Sequence, residues 1–200
     1  CTREVMEAKR VYLDSSIWIS HILQEKRNNR AQTVQQLFHQ IEEDEGVILI
    51  SHLVLLEVLE VIRKRITENE PYTDLGDDKK KEITDKVQEK TNLFLKVLSR
   101  LIREHRVALI DSQKPVDQWF KATYSIFVSS SGDISAHNYY PDGRRRALPK
   151  YQYRGVGHYD IQHALTAQEF SAGDLHTFDQ GFVELEGHQE FEGMNFLIHR

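Results

Sequence analysis

The chain has 200 residues, 40 % of them hydrophobic and 28 % charged, with a formal net charge of −5. That length is enough for one well-buried domain or a domain with a large insertion, and the composition is ordinary for a globular protein. No apolar run could span a bilayer, the lone Cys1 excludes an internal disulfide and a cysteine zinc site, and the acidic balance excludes a uniformly basic nucleic-acid binder but not a local basic patch. The opening stretch CTREVMEAKR lacks the pattern of a signal peptide, so a cytoplasmic setting without a membrane partner is expected.

Strands and helices alternate along the chain. RVYLD (10–14) reads as a first strand, with a carboxylate just where a buried strand would end. Helices follow from about Ser16 and from about Asn29 to Ile41, the second with Val34, Leu37, Phe38 and Ile41 at helical spacing. VILIS (47–51) is an unbroken apolar run, as in a parallel strand covered on both faces. It leads into HLVLLEVLEVIRKRI, a helix with Ser51 as its expected cap. From about residue 69 the composition turns polar, then a long helix runs to about His105 with one face made by Ile83, Val87, Phe94, Val97, Leu98 and Leu101. RVALI (106–110) is a third strand, and a helix follows Pro115. Residues 129–157 read as irregular. A helix from about His158, a strand near Leu175–Thr177 and a last strand NFLIH (195–199) complete the chain. The expected fold class is α/β: a three-layer α/β/α arrangement around an open, mostly parallel sheet. Its expected extent is 10–200, with residues 1–9 as a tail and about 67–155 as an insertion.

In such a sheet, functional residues gather beyond the carboxyl ends of the strands, where strand order reverses. Asp14 ends the first strand. Glu57 lies in the second turn after Ser51, bracketed by Leu55, Leu56, Val58 and Leu59. Asp160 occupies a first helical turn, where the dipole favours an anion. Asp179 follows a strand by two residues, with Thr177 placed to hydrogen-bond a carboxylate or a metal-bound water. Singly these acids read as a turn residue or helix cap, a chance or interface position, a helix cap and a second turn residue. Together they would repel one another unless a cation neutralised them, and a hard divalent ion held by oxygen ligands is the economical explanation.

The motifs RVYLDSSIWI, Ser51-x5-Glu57, YDIQHALTA and HTFDQGF, in that order, resemble those of the PIN-domain nucleases, and most closely the compact toxin ribonucleases of bacterial toxin–antitoxin pairs. The resemblance spans roughly 10–66 and 156–200. It implies that Asp14, Glu57, Asp160 and Asp179 are catalytic and metal-binding acids for Mg²⁺ or Mn²⁺, with Asp14 and Asp160 as the first direct ligands. Ser15, Thr177 and His163 are auxiliary. His163 is expected to touch a substrate phosphate or to order Asp160, and not to bind metal. Two features depart from the family pattern: the middle of the chain is longer, and Phe178 stands where a small or polar residue is common.

The middle segment also carries NYYPDGRRRALPKYQYRGVGHY. Arg144, Arg145, Arg146, Lys150 and Arg154 supply cations for phosphates, and Tyr151 and Tyr153 supply rings for unstacked bases, against a plain solvated loop. The long helix is expected to pack on the core, with a homodimer or inhibitor-protein (antitoxin) surface as the second reading. The expected activity is metal-dependent endonucleolytic cleavage, of RNA before DNA. A DNA or structure-specific nuclease and a non-catalytic scaffold binding a partner are the alternatives. An aspartyl-phosphate phosphotransferase is disfavoured, because Ser16 stands where its second acid belongs.

Overall fold

A computed structural model describes residues 8–24, 29–67, 76–130 and 156–199. Five strands form one sheet: β1 (Arg10–Leu13), β2 (Val47–Ser51), β3 (Val107–Ile110), β4 (Asp174–Thr177) and β5 (Asn195–Ile198). Their order is β3-β2-β1-β4-β5, and every neighbouring pair is parallel. The described helices are α1 (Ser15–Leu23), α2 (Arg30–Glu43), α3 (His52–Thr67), α4 (Asp77–Arg103), α5 (Val116–Ser130) and α6 (His158–Glu169). They flank the sheet in a three-layer α/β/α arrangement. None of them is long and apolar enough to cross a membrane.

The chain builds outward from β1 to β2 and β3, then returns across β1 to lay down β4 and β5. The strand order therefore reverses between β1 and β4, which opens a crevice at their carboxyl ends. Register decides what faces it. Tyr12 pairs with Leu49 and Leu175, and successive side chains alternate faces, so Tyr12, Asp14, Ser51 and Thr177 share one face of the sheet. Leu13 and His176 are register partners and share the other face.

Most of the expected elements stand where the patterns put them. The apolar run 47–51 is β2, and the side chain of Ser51 accepts the Val54 N–H at 3.3 Å, capping α3. Pro115 precedes α5, its carbonyl accepting the Trp119 N–H at 3.0 Å. Two short 3-10 segments, Gln180–Leu185 and Gln189–Phe191, fill a stretch with no expected element.

Part of the segment expected to be an insertion is built into the fold. β3 is an outer strand of the sheet, and α4 packs on α1 and α3. The reason lies in Trp18, fully buried, whose ring meets Phe38 of α2 edge-on at 5.4 Å and Phe94 of α4 edge-on at 5.9 Å. Edge-to-face pairs of this kind contribute about 0.5–1.5 kcal/mol each beyond the area they bury. Phe94, Leu98 and Leu101 join the main core, so α4 carries core residues of its own. The basic and aromatic residues expected to bind substrate (Arg144, Arg145, Arg146, Lys150, Tyr151, Tyr153 and Arg154) lie outside the described residues.

Candidate active site

The crevice between β1 and β4 is a cleft of about 660 Å³ whose lining includes Asp14, Glu57, Asp160 and Asp179. The structure thus brings all four predicted acids to one opening. Each arrives by a different local route.

Asp14 follows β1 and caps α1. Its carboxylate is 4 % exposed, and Oδ2 accepts the Ser16 hydroxyl at 2.8 Å and the Thr177 hydroxyl at 2.8 Å. The Ser16 amide adds a long contact of 3.4 Å. Oδ1 has only a 3.4 Å contact from the Ser15 hydroxyl and lies 3.8 Å from His163 Nε2. One oxygen is therefore held by the fold, while the other has no short partner among the described residues. The residue expected to be a ligand is thus also the cap of α1.

Thr177 is fully buried. Besides donating to Asp14, its Oγ1 accepts the backbone N–H of Asp179 at 2.9 Å. The carboxylate is one of the two partners expected of it. Ser16, which the motif did not single out, does more than Ser15: its hydroxyl also accepts the Phe178 N–H at 2.9 Å and so ties α1 to the end of β4. Asp179 is exposed and caps the following 3-10 turn, its Oδ1 accepting the Gly181 N–H at 2.7 Å.

Asp160 sits in the first turn of α6, where it reaches back to accept the Gly157 N–H at 2.9 Å, one half of a capping box. A Cβ at position 157 would meet Asp160 Oδ2 at 2.9 Å, so glycine is what lets the carboxylate fold over its own helix start. Burial, followed by the charges of Asp179 and Asp14, pushes its pKa up from 3.8 to about 6, against the opposing Gly157 N–H and His163. Ala164 and Ala167, both fully buried, let α6 come close to the sheet.

His163 corrects an expectation. It is 1 % exposed, so it cannot reach a substrate phosphate, and its partner is Glu57 rather than Asp160. Nε2 lies 2.8 Å from Glu57 Oε2, and Nδ1 lies 2.7 Å from the hydroxyl of Tyr12, which in turn is 2.8 Å from Ser51 Oγ. Burial opposes a charge on the ring, but the Glu57 hydrogen bond and the charges of Asp14, Glu57 and Asp160 outweigh it and raise its pKa above the ordinary 6.5. His163 thus links Glu57 to Tyr12, and Tyr12 links His163 to Ser51. This buried chain sets the orientation of Glu57, which would otherwise be a long carboxylate free to swing. Tyr12 is not among the residues the motifs point to, yet its position two residues before Asp14 puts it on the same strand face.

Ligand atoms of Asp14, Glu57 and His163 all lie within 4.8 Å of one another. Asp160 and Asp179 line the same cleft outside that set. Oxygen donors with one well-anchored carboxylate suit a hard divalent cation, and Asp14 Oδ1 has no short contact among the described residues.

The family model for the PIN domain matches residues 11–123, more than half of the chain. That span includes Asp14 and Glu57. Asp160 and Asp179 lie beyond it, and the fold returns them to the same cleft. Among solved structures, the crystal structure of VapBC2 from Rickettsia felis bound to a DNA fragment from their promoter is similar at 15 % identity, covering 94 % of this chain and 96 % of that chain with a TM-score of 0.48. No curated protein matches the chain. On the family match, the chain belongs to the PIN domain family, whose members are generally nucleases.

Proposed function

We propose that the protein is a divalent-metal-dependent endonuclease that hydrolyses phosphodiester bonds of RNA. The observation that carries this reading is the convergence of Asp14, Glu57, Asp160 and Asp179 on one cleft, with Asp14 and Glu57 close enough to share a ligand. Asp14 and Glu57 would hold the cation, with Asp160 and Asp179 completing its surroundings directly or through water. Mg²⁺ or Mn²⁺ supplies charge neutralisation at the phosphate and lowers the pKa of water.

The remaining tasks belong to the chain. Thr177 and Ser16 hold Asp14 by one oxygen and so aim the other. His163 and Tyr12 hold Glu57. Asp160, titrating near 6, can exchange a proton in the neutral range, which suits it to take one from the attacking water or give one to the leaving oxygen. Preference for RNA over DNA rests on the likeness of the four motifs to those of toxin ribonucleases.

The test is cleavage of end-labelled single-stranded RNA and DNA of equal sequence, with Mg²⁺, Mn²⁺ or excess chelator. RNA should be cut internally, leaving 5′-phosphate and 3′-hydroxyl ends, only when metal is present. Equal cutting of DNA would move the reading to a nuclease indifferent to the sugar. Cutting in excess chelator would overturn metal dependence.

A further inference from the structure

Two apolar surfaces border the acids of the cleft without helping to hold them. Tyr159, the residue before Asp160, lines the cleft and is 52 % exposed. The ring of His158, which lines the cleft as well, lies against it, with centroids 4.2 Å apart and 40° between the planes. The first turn of α6 therefore presents the two rings as one aromatic surface. On α3, Leu53, Leu56, Glu57 and Glu60 line the cleft at the i, i+3, i+4, i+7 spacing of a single helical face. Leu56, the residue before Glu57, is 66 % exposed. Both helices thus place an exposed apolar side chain next in sequence to an acid of the site.

We propose that Tyr159, backed by His158, is a stacking platform for an unpaired nucleobase of the substrate strand, with Leu56 as its apolar contact on α3. The inference rests on the nuclease reading and deepens it, since it assigns the part of the cleft that takes a base rather than a phosphate. A single exposed Leu or Tyr is ordinary on a protein surface, but two rings and a leucine bordering one cleft with four carboxylates form a patch with a place in the chemistry. The carboxylates repel phosphates wherever the cation does not reach, so affinity close to the acids has to come from uncharged contacts. The face of a base is such a contact, and every base has one to lay on an aromatic ring. The geometry also sets the register of the strand. Tyr159 and Asp160 are chain neighbours, about 3.8 Å apart at their Cα atoms, so a base on the ring belongs to a nucleotide flanking the phosphate at the acids. Asp160 is pinned to the start of α6 by the Gly157 N–H, so platform and carboxylate are held in one frame. A base inside a duplex has both faces covered, and the platform therefore selects single strands.

The experiment measures binding of fluorescent single-stranded RNA by anisotropy across a salt series, in an Asp14→Asn background that blocks cleavage, with cleavage kinetics measured in the otherwise unaltered protein. Tyr159→Ala should weaken binding by roughly tenfold to a hundredfold, the worth of one stacked base. The log–log salt dependence should stay as it was, because no charge is lost. Tyr159→Phe should bind as the parent does, since the ring remains. Leu56→Ala should weaken binding by a smaller factor at the same slope. In cleavage, Tyr159→Ala should raise KM with little change in kcat, because the stacked base takes no part in the bond that breaks. An RNA carrying one abasic nucleotide, moved stepwise along the strand, locates the base. At one position beside the cut it should lose the affinity that Tyr159→Ala loses, and the two changes together should cost no more than either alone. Tyr124→Ala removes a comparably exposed tyrosine that does not line the cleft, and should leave binding alone. The same RNA paired with its complement should compete poorly. If the protein binds and cuts RNA but Tyr159→Ala binds with unaltered affinity, or its loss adds in full to that of every abasic position, the assignment of Tyr159 is wrong and the nuclease reading stands. An unchanged Leu56→Ala removes the contact on α3. If the Asp14→Asn background binds neither RNA nor DNA and the unaltered protein cuts neither, both readings fall together.

Discussion

Replacing Asp160 by Asn should stabilise the metal-free protein near neutral pH, although it removes a residue of the candidate active site. The carboxyl titrates near 6 in the fold rather than at 3.8, chiefly because burial disfavours its charge and Asp179 and Asp14 add to the penalty. A carboxyl that holds its proton more tightly when folded stabilises the native state while it is protonated. That contribution is complete below about pH 4 and is lost as pH rises through about 6. At about 1.4 kcal/mol per pH unit, the gap between the two values costs the folded protein about 3 kcal/mol at pH 7. Asn carries no charge, and its amide oxygen can still accept the Gly157 N–H, so most of that cost should disappear in the variant. For a chain of this length, about 3 kcal/mol corresponds to about 6–12 °C in melting temperature. The assay is thermal unfolding of both proteins in excess chelator from pH 4 to pH 8. The variant should gain on the parent as pH rises through about 6, and the two should converge toward pH 4. A variant less stable at pH 7, or a difference that ignores pH, would refute the electrostatic reasoning and return Asp160 to a capping residue alone.

Thr177→Val should leave Asp14 Oδ2 and the Asp179 N–H each short of a buried partner, costing about 1–3 kcal/mol in urea unfolding and most of the cleavage rate. Tyr12→Phe removes the acceptor and donor between His163 and Ser51, so stability should fall by about 1–3 kcal/mol and metal affinity should weaken through a misoriented Glu57. Asp174 is a buried acid of a different kind: it sits at the amino end of β4, bound by Lys9 at 2.7 Å and by the Asn195 amide at 2.9 Å. Asp174→Ala should therefore lower stability by about 1–3 kcal/mol, mainly through the lost partner of the Asn195 amide, while leaving metal binding intact, and loss of metal binding with unchanged stability would contradict that. Changing Arg144, Arg145 and Arg146 together to Ala should flatten the salt dependence of RNA binding by about 0.7 for each phosphate that these side chains neutralise, and an unaltered slope would remove that segment from substrate binding.

The sheet and the acids are legible in the sequence because both leave short, strong signals. An unbroken apolar run such as VILIS has no way to be a surface loop, and a carboxylate after each of three strands has few reasons to be there. Residues that act by holding others are harder to see. Thr177 is legible as a hydroxyl placed to meet a carboxylate, but Ser16 is an ordinary first-turn residue of α1 until the structure places its hydroxyl on Asp14. His163 is legible as a neighbour of Asp160 on α6, but its bond to Glu57 spans 106 residues and depends on how α3 and α6 meet. The partners of the long helix are hidden for a related reason. Its periodicity shows an apolar face and so a helix packed on the core, but which helices it meets becomes visible only in the packing of Phe94 against Trp18. The two 3-10 segments after Asp179 are too short to show any period.

The most direct measurement is the rate of RNA cleavage as a function of Mn²⁺ concentration for the protein and for Asp14→Asn and Glu57→Gln, with melting temperatures recorded alongside. The protein should show a saturable Mn²⁺ dependence, and both variants should lose cleavage while remaining folded. Cleavage that persists without metal, or variants that cut RNA at the parent rate with the same Mn²⁺ dependence, would contradict the assignment of these carboxylates as the catalytic metal site.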